Sequence, residues 1–334
     1  MAHLRIVMAT WHGAAHLDEQ LASIAAQSHA DWSLLVSDDG STDTTRDIVA
    51  DFVRAHPGHD IALIRGPGRG SAANFLSALG HDLPADAWLA LSDQDDIWMP
   101  DRIARAVTML QEATAGPAGS RPAGIYASRT LLMDADGRMG RPSVRHPRGP
   151  SFGNALVQNI LAGNTMVLTP GAAELATETA AAAMAAGVAH HDWWLYALMA
   201  GSGARIVHDD RPGVYYRQHR DNHMGAHRSL GAARTRLDMI RDGRFLRWIG
   251  ANLDALDRCR IHLVPGAADL TDRLRSALGQ VRPGWPAILR LRRAGIRRQT
   301  LRGDLVLALA LRQSGDGSTA PPSERPPPPH RDLP

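Results

Sequence analysis

The chain has 334 residues, 44% apolar and 21% charged, with a formal net charge of +3 and a single cysteine, Cys259. This is globular composition with ample length for a large core, no apolar stretch nears the roughly 18–20 residues of a membrane span, and one thiol excludes internal disulfides and cysteine-cluster metal sites. All 37 cationic side chains other than histidine are arginine, and they recur densely from Arg234 to Arg312, so this part suits an anionic surface.

Leu4–Met8 reads as an opening strand, not as a secretion signal, which together with the lone thiol leads to the expectation of a cytoplasmic protein. Leu17, Leu21 and Ile24 recur at helical spacing within 17–26; Trp32–Ser37 reads as a strand and Thr44–Ala55 as a helix. Ile61–Arg65, Gly70–Leu79 and Trp88–Ser92 continue the alternation, which predicts βαβ units around a mostly parallel sheet. Pro100 introduces a helix over 101–112, and a Gly/Pro/Ala loop over 113–121 leads to a strand over 125–133. Residues 142–153 are irregular and basic, the composition of a loop over a site. Beyond them the pattern predicts a strand over 163–169, an Ala-rich helix over 171–187, a helix over 191–201 and a short strand over 204–208. From Ser229 the pattern is helical, interrupted by Pro265, Pro283 and Pro286, and the Pro-rich stretch 315–334 cannot build a core. The expected division is a catalytic domain at 1–228, an Arg-rich helical extension at 229–314 and a tail at 315–334.

Two strand ends carry the chemistry. Trp88–Ser92 runs into Asp93-Gln94-Asp95-Asp96, three carboxylates in four positions that repel one another unless a divalent cation, a basic partner or water relieves them. The second strand runs into Asp38-Asp39-Gly40; a carboxylate there can accept from a base N–H or a ribose hydroxyl, while Thr42 or Asp43 can cap the next helix. Ligands bind beyond the carboxyl ends of strands in open α/β sheets, so the two acidic ends together describe a nucleotide with a metal. A dinucleotide oxidoreductase is excluded, because Ala9-Thr10-Trp11-His12-Gly13-Ala14-Ala15 lacks the Gly-rich phosphate cradle. No aromatic platform or known module points to nucleic acid. A metal-dependent nucleotidyltransferase and a sugar-nucleotide-binding protein without transferase activity remain open at this stage.

Ala9-Thr10-Trp11-His12-Gly13, Ser37-Asp38-Asp39-Gly40-Ser41-Thr42-Asp43 and Ser92-Asp93-Gln94-Asp95-Asp96-Ile97-Trp98 resemble the motifs of the inverting family 2 glycosyltransferases, over roughly residues 3–225. Asn159 to Met166 and Tyr216-Arg217-Gln218-His219 are most similar to the rhamnosyltransferase-like branch. The resemblance implies a GT-A-like α/β fold, a dTDP- or UDP-linked sugar donor, Mn²⁺ or Mg²⁺, and a glycan or lipid-linked glycan acceptor. It places Thr10, Trp11, Asp38 and Asp39 in the nucleoside pocket, Asn74 at the third helix, Asp93 on the ribose side and Asp95 on the metal. His219 is implied as a further metal ligand or phosphate contact, Arg217 as a diphosphate partner, and Asp192, in His190-His191-Asp192-Trp193-Trp194, as the catalytic base. A surface cap for Asp192, a solvated loop for His219 and core packing for the tryptophans are the alternatives. The Arg-rich helices suit either a leaflet surface or packing on the catalytic domain.

Overall fold

The computed structural model describes residues 2–81, 83–117, 120–218, 239, 242–280 and 283–313. The first half alternates as the periodicity predicts: β1 (Leu4–Thr10), α1 (Leu17–Ala25), β2 (Trp32–Asp38), α2 (Thr45–Ala55), β3 (Ile61–Arg65), α3 (Ser71–Leu79) and β4 (Trp88–Ser92). β1 lies parallel between β2 and β4, and β2 pairs in parallel with β3. β2 and β4 are buried along their whole length, because helices cover both faces of the sheet; this is why they read as unbroken apolar runs.

The second half holds β5 (Ile97–Trp98), α4 (Arg102–Ala113), β6 (Gly124–Asp134), β7 (Met139–Pro142), α5 (Phe152–Ala155), a 3-10 turn at Gly163–Thr165, β8 (Val167–Leu168), α6 (Pro170–Ala185), α7 (His191–Gly201) and β9 (Arg205–Gln218). The sheet order is β3-β2-β1-β4-β8-β6-β9-β5, with β7 on β6. β8 runs antiparallel to both β4 and β6, so the direction reverses next to the acidic end of β4. The long ladders are parallel and helices pack on both sides, which is the GT-A-like α/β arrangement that the resemblance implies.

Among the described residues the α-helices that follow are α8 (Arg244–Arg258), α9 (Pro265–Leu278), α10 (Trp285–Arg293) and α11 (Leu301–Gln313). Pro265 and Pro286 stand in the first turns of α9 and α10, where the missing N–H costs nothing, so they open helices where the sequence suggested interruptions. Ile249, Leu253 and Leu256 of α8 are buried in the same core as α6 and α7. The expected boundary at 228/229 and the tail at 315–334 lie outside the described residues.

Two local expectations change. The segment 163–169 is a 3-10 turn followed by only two strand residues, because Gly163-Asn164-Thr165 folds into bonds with neighbouring loops. The short strand expected at 204–208 extends to Gln218, pairing with β6 on both sides of a register shift between Ser128 and Thr130.

Candidate active site

The parallel register sets Thr10 opposite Asp38 and Met8 opposite Ser92, so the carboxyl ends of β1, β2 and β4 open side by side. Asp38 is fully covered. Its carboxylate accepts from Thr10 Oγ1 at 3.1 Å, from the Ser41 N–H at 3.1 Å and hydroxyl, and from Arg46 Nε at 2.9 Å. Burial pushes this carboxyl up, but the bonds from Ser41, Arg46 and Thr10 outweigh it and hold the group below its ordinary value. Asp38 therefore builds the loop after β2.

Asp39 reaches the other way, accepting from the Gly68 and Gly70 N–H groups at 2.7 Å each. Asn74 is buried; its Nδ2 donates to Ser37 O at 2.8 Å, and its Oδ1 accepts from the Ser37 hydroxyl. Asn74 and Asp39 thus join β2 to the β3–α3 loop. A side chain at Gly66 would collide with both.

Trp11 is 54% exposed and stacks on His12 with ring centres 4.4 Å apart. His12 takes the left-handed φ of +47°, held by its N–H to Ser41 Oγ at 2.9 Å and its Nε2 beside Thr42 Oγ1 at 3.2 Å. This presents an exposed aromatic face beyond the carboxyl end of β1. Asp43 stands one residue before Thr44, the N-cap of α2, yet serves the helix end: it accepts from Thr45 N, the first N–H of α2, and from Ala14 N, each at 3.2 Å, and so ties the β1 loop to the start of α2. Gln94 clamps the same loop: Trp11 N donates to Gln94 Oε1 at 2.8 Å, and Gln94 Nε2 donates to Trp11 O at 2.9 Å.

At the end of β4, Asp93, Asp95 and Asp96 diverge in role. Asp96 is buried beneath the loop, accepting from Asn164 Nδ2 and from the Arg217 N–H at 3.3 Å. Burial and the Asp95 charge push its carboxyl up to about 8 against the relief given by Asn164, the Arg217 N–H and Arg102. Arg102 is itself buried, its guanidinium 3.6 Å from the Trp98 ring centre and its Nη2 donating to Asn164 O at 2.9 Å; burial lowers it to about 9. Asp93 is half-buried and its carboxyl is raised well above the ordinary value, by desolvation and then by the charges of Asp96, Asp95 and Asp192.

Asp192 enters this field from the first turn of α7. Its Oδ2 accepts from the Gly163 N–H at 3.3 Å and its Oδ1 from the Trp193 N–H at 2.7 Å. His191 is buried against the Phe75 ring, 3.9 Å between centres, and burial depresses its imidazole to about 4, so it is neutral beside Asp192 near pH 7. Trp193 and Trp194 are both buried, and Trp193 Nε1 donates to Ala155 O at 2.6 Å, so the pair packs in the core. His146 and His208 meet edge to face with ring centres 5.5 Å apart.

Arg217 is also placed inside. Its side chain is 4% exposed, with Nε donating to Asp95 O at 3.2 Å and Nη2 to the Glu19 carboxylate. The guanidinium therefore braces the acidic loop from behind, a correction to its expected place on the diphosphate. His219 lies outside the described residues. Among the described residues no three His, Cys, Asp or Glu side chains form a ready cation cage. The Asp95 charge raises the Asp93 carboxyl, and the two carboxylates offer the hard oxygens that a divalent cation takes; such a cation would draw its remaining ligands from donor phosphates and water.

Sequence reasoning found the acidic ends and the α7 carboxylate but missed Gln94, Gly163, Asn164, Arg102 and Glu19. Each acts through a partner distant in the chain, and a pattern of local spacing carries no trace of such pairs.

Several known proteins are similar to this chain. The dTDP-rhamnosyl transferase RfbG of Shigella flexneri is 29% identical over 242 residues, covering 70% of this chain and 79% of that protein. An uncharacterized glycosyltransferase of Nostoc, alr2836, is 29% identical over 171 residues, 50% of this chain and 48% of its own length. Among solved structures, S. aureus TarS in complex with UDP-GlcNAc aligns with a TM-score of 0.48 at 15% identity, over 82% of this chain and 87% of that one. The family model described as Glycosyl transferase family 2 matches residues 5–171, half of the chain including the carboxyl ends of β1, β2 and β4, and the protein belongs to that family.

Proposed function

We propose that this transferase is metal-dependent and inverting, and that it moves rhamnose or a related deoxyhexose from a dTDP- or UDP-linked donor to a hydroxyl of a cell-surface polysaccharide or its lipid-linked precursor. The observation that carries the reading is the meeting of two elements at the 3-10 turn: Gly163 N donates to Asp192 Oδ2 of α7 at 3.3 Å, and the next residue, Asn164, donates through Nδ2 to Asp96 after β4. Donor-side and acceptor-side groups thus share one site. The likeness to a dTDP-rhamnosyl transferase supports the donor class.

In this reading the nucleoside lies against Trp11, over loops that the buried Thr10–Asp38 pair and Asp39 hold in place, while Asp93 faces the ribose. Asp95 would hold a divalent cation, which when bound would supply Lewis-acid neutralisation of the leaving phosphate. Asp192 takes the proton of the acceptor hydroxyl as that oxygen bonds to the anomeric carbon. The bond from that carbon to the phosphate oxygen breaks on the opposite face, which inverts the configuration. General-base help of this kind contributes roughly 10²–10⁴-fold. In this reading the protein works in the cytoplasm.

The test begins with thermal stabilisation by a panel of nucleoside diphosphates and sugar nucleotides, with and without Mn²⁺, followed by product analysis with the donor that binds. Metal-dependent stabilisation by one diphosphate, and release of that nucleoside diphosphate with an inverted sugar linkage, is expected. Stabilisation by none of them refutes the reading, and release of inorganic diphosphate replaces it with nucleotidyl transfer.

A further inference from the structure

Helices α10 and α11 lie side by side, with Arg312 near the end of α11 placed 5.2 Å over the ring of Trp285 at the start of α10. Their inner sides are already satisfied: Leu291, Leu307, Ala308 and Leu311 are buried. Their outer sides are apolar as well. Trp285 and Leu289 on α10 are 48% and 47% exposed, and Leu301, Leu305 and Leu309 on α11 are 63%, 54% and 47% exposed. Spacings of four residues make one stripe on each helix, and Val306 widens the second. A helix that packs one face on a domain normally turns a polar face to water, so a second apolar stripe on each of two adjacent helices requires a cover.

Charge identifies the cover. Residues 285–312 contain seven arginines and one carboxylate, Asp304. That carboxylate points inward, 3.1 Å from Arg148 and 3.6 Å from Arg292. Arg290, Arg293, Arg297 and Arg302 are exposed around the stripes. A second copy of the chain would set arginine against arginine. A lipid leaflet with anionic headgroups offers phosphates to the guanidinium groups and acyl chains to the leucines and tryptophan, so both features are satisfied at once.

The surface is also keyed to the site. The α10–α11 connection is bonded to the segment around α5: Gln299 N donates to Gln158 Oε1 at 2.9 Å, Gln299 Nε2 to Gly149 O at 2.8 Å and Asn154 Nδ2 to Arg297 O at 3.0 Å. That segment in turn holds α7, through Trp193 Nε1 to Ala155 O at 2.6 Å and Tyr196 OH to Ser151 O at 3.1 Å. Among the described residues no helix is long and apolar enough to cross a membrane.

We propose that the outward face of α10 and α11 docks on the anionic leaflet of a lipid bilayer and, through the α5 segment, fixes the orientation of the Asp192 side of the site relative to that surface. The use of this orientation for a lipid-linked acceptor rests on the proposed function; the binding itself does not. The full chain is sedimented with vesicles of phosphatidylglycerol and phosphatidylethanolamine, or of phosphatidylcholine alone, at low and high salt. Binding to the anionic vesicles that weakens with salt, and little binding to the neutral ones, is expected. L305D/L309D should weaken binding about tenfold or more, and R290Q/R293Q roughly thirtyfold at low salt, with Tm and nucleotide-induced stabilisation as in the wild type. No association with anionic vesicles at low salt overturns the proposal, as does equal binding to neutral vesicles or binding that both variants leave intact. A concentration-dependent dimer lost in L305D/L309D also overturns it, because the cover is then a second copy. Vesicle binding in a protein that no nucleotide stabilises sinks the enzymatic reading and upholds the docking surface.

Discussion

Replacing Gly163 by alanine tests whether the 3-10 turn sets the position of Asp192. A Cβ at this residue would stand 2.8 Å from His191 Nε2 and 3.0 Å from Asp192 Cβ. Both distances are below ordinary contact, and neither neighbour is a loose chain end: His191 is held against Phe75 and the Asp192 Cβ moves only with the backbone of α7. The relief available is a shift of the first turn of α7 away from the turn, which also lengthens the 3.3 Å bond from Gly163 N to Asp192 Oδ2. Overpacking of this kind costs about 1–3 kcal/mol and lowers Tm by a few degrees. A base displaced by a fraction of an ångström should lower kcat roughly tenfold or more, while affinity for the donor nucleotide stays within about twofold. The assay pairs steady-state transfer with nucleotide-induced thermal stabilisation of the same preparation. Wild-type kcat and Tm in Gly163→Ala, or a loss confined to the donor KM, would refute the argument that this turn seats the base.

Asp95→Ala and Asp192→Ala should fail differently, the first losing Mn²⁺-dependent donor stabilisation and the second retaining it without turnover; normal turnover in both removes the mechanism. Arg217→Ala should cost about 2–3 kcal/mol of stability through lost packing and hydrogen bonds; denaturant unfolding checks this, and an unchanged midpoint with a large rise in donor KM would return Arg217 to the diphosphate. Burial holds the His191 imidazole at about 4 in the folded chain, below its unfolded value of about 6.5, so its contribution to stability is fully present above pH 6.5 and is lost as pH falls through 4. The loss amounts to about 3 kcal/mol, and His191→Leu should flatten that part of the acid limb in urea midpoints taken between pH 4 and 7; an unchanged slope contradicts the assignment.

The sequence carried the sheet well because β1, β2 and β4 bury both faces and alternate with amphipathic helices, a pattern visible in any window of a dozen residues. It carried the acidic ends of β2 and β4 for the same reason: charges that follow directly on an apolar run stand out. What it did not carry is the division of labour among them. Asp38 and Asp39 look alike in the chain, yet one is sealed by Thr10, Ser41 and Arg46 and the other braces Gly68 and Gly70. Arg217 looked available for a phosphate because its partner, Glu19, lies 198 residues away. The turn at 163–165 read as strand because Thr165, Met166 and Val167 favour extended backbone, and only the contacts of Gly163 and Asn164 with Asp192 and Asp96 reverse that preference.

Gln94 makes two amide bonds to the backbone of Trp11, and Gly13 must lack a side chain because a Cβ there would overlap the Gln94 carboxamide. The aromatic rim and the acidic loop are consequently one rigid piece joined across two strands. An engineer grafting the loop after β1 from a relative with another donor preference would have to transplant positions 11, 13 and 94 together; a graft that changes position 13 alone pushes the 93–96 loop off its seat and spoils chemistry that the transplanted residues never touch.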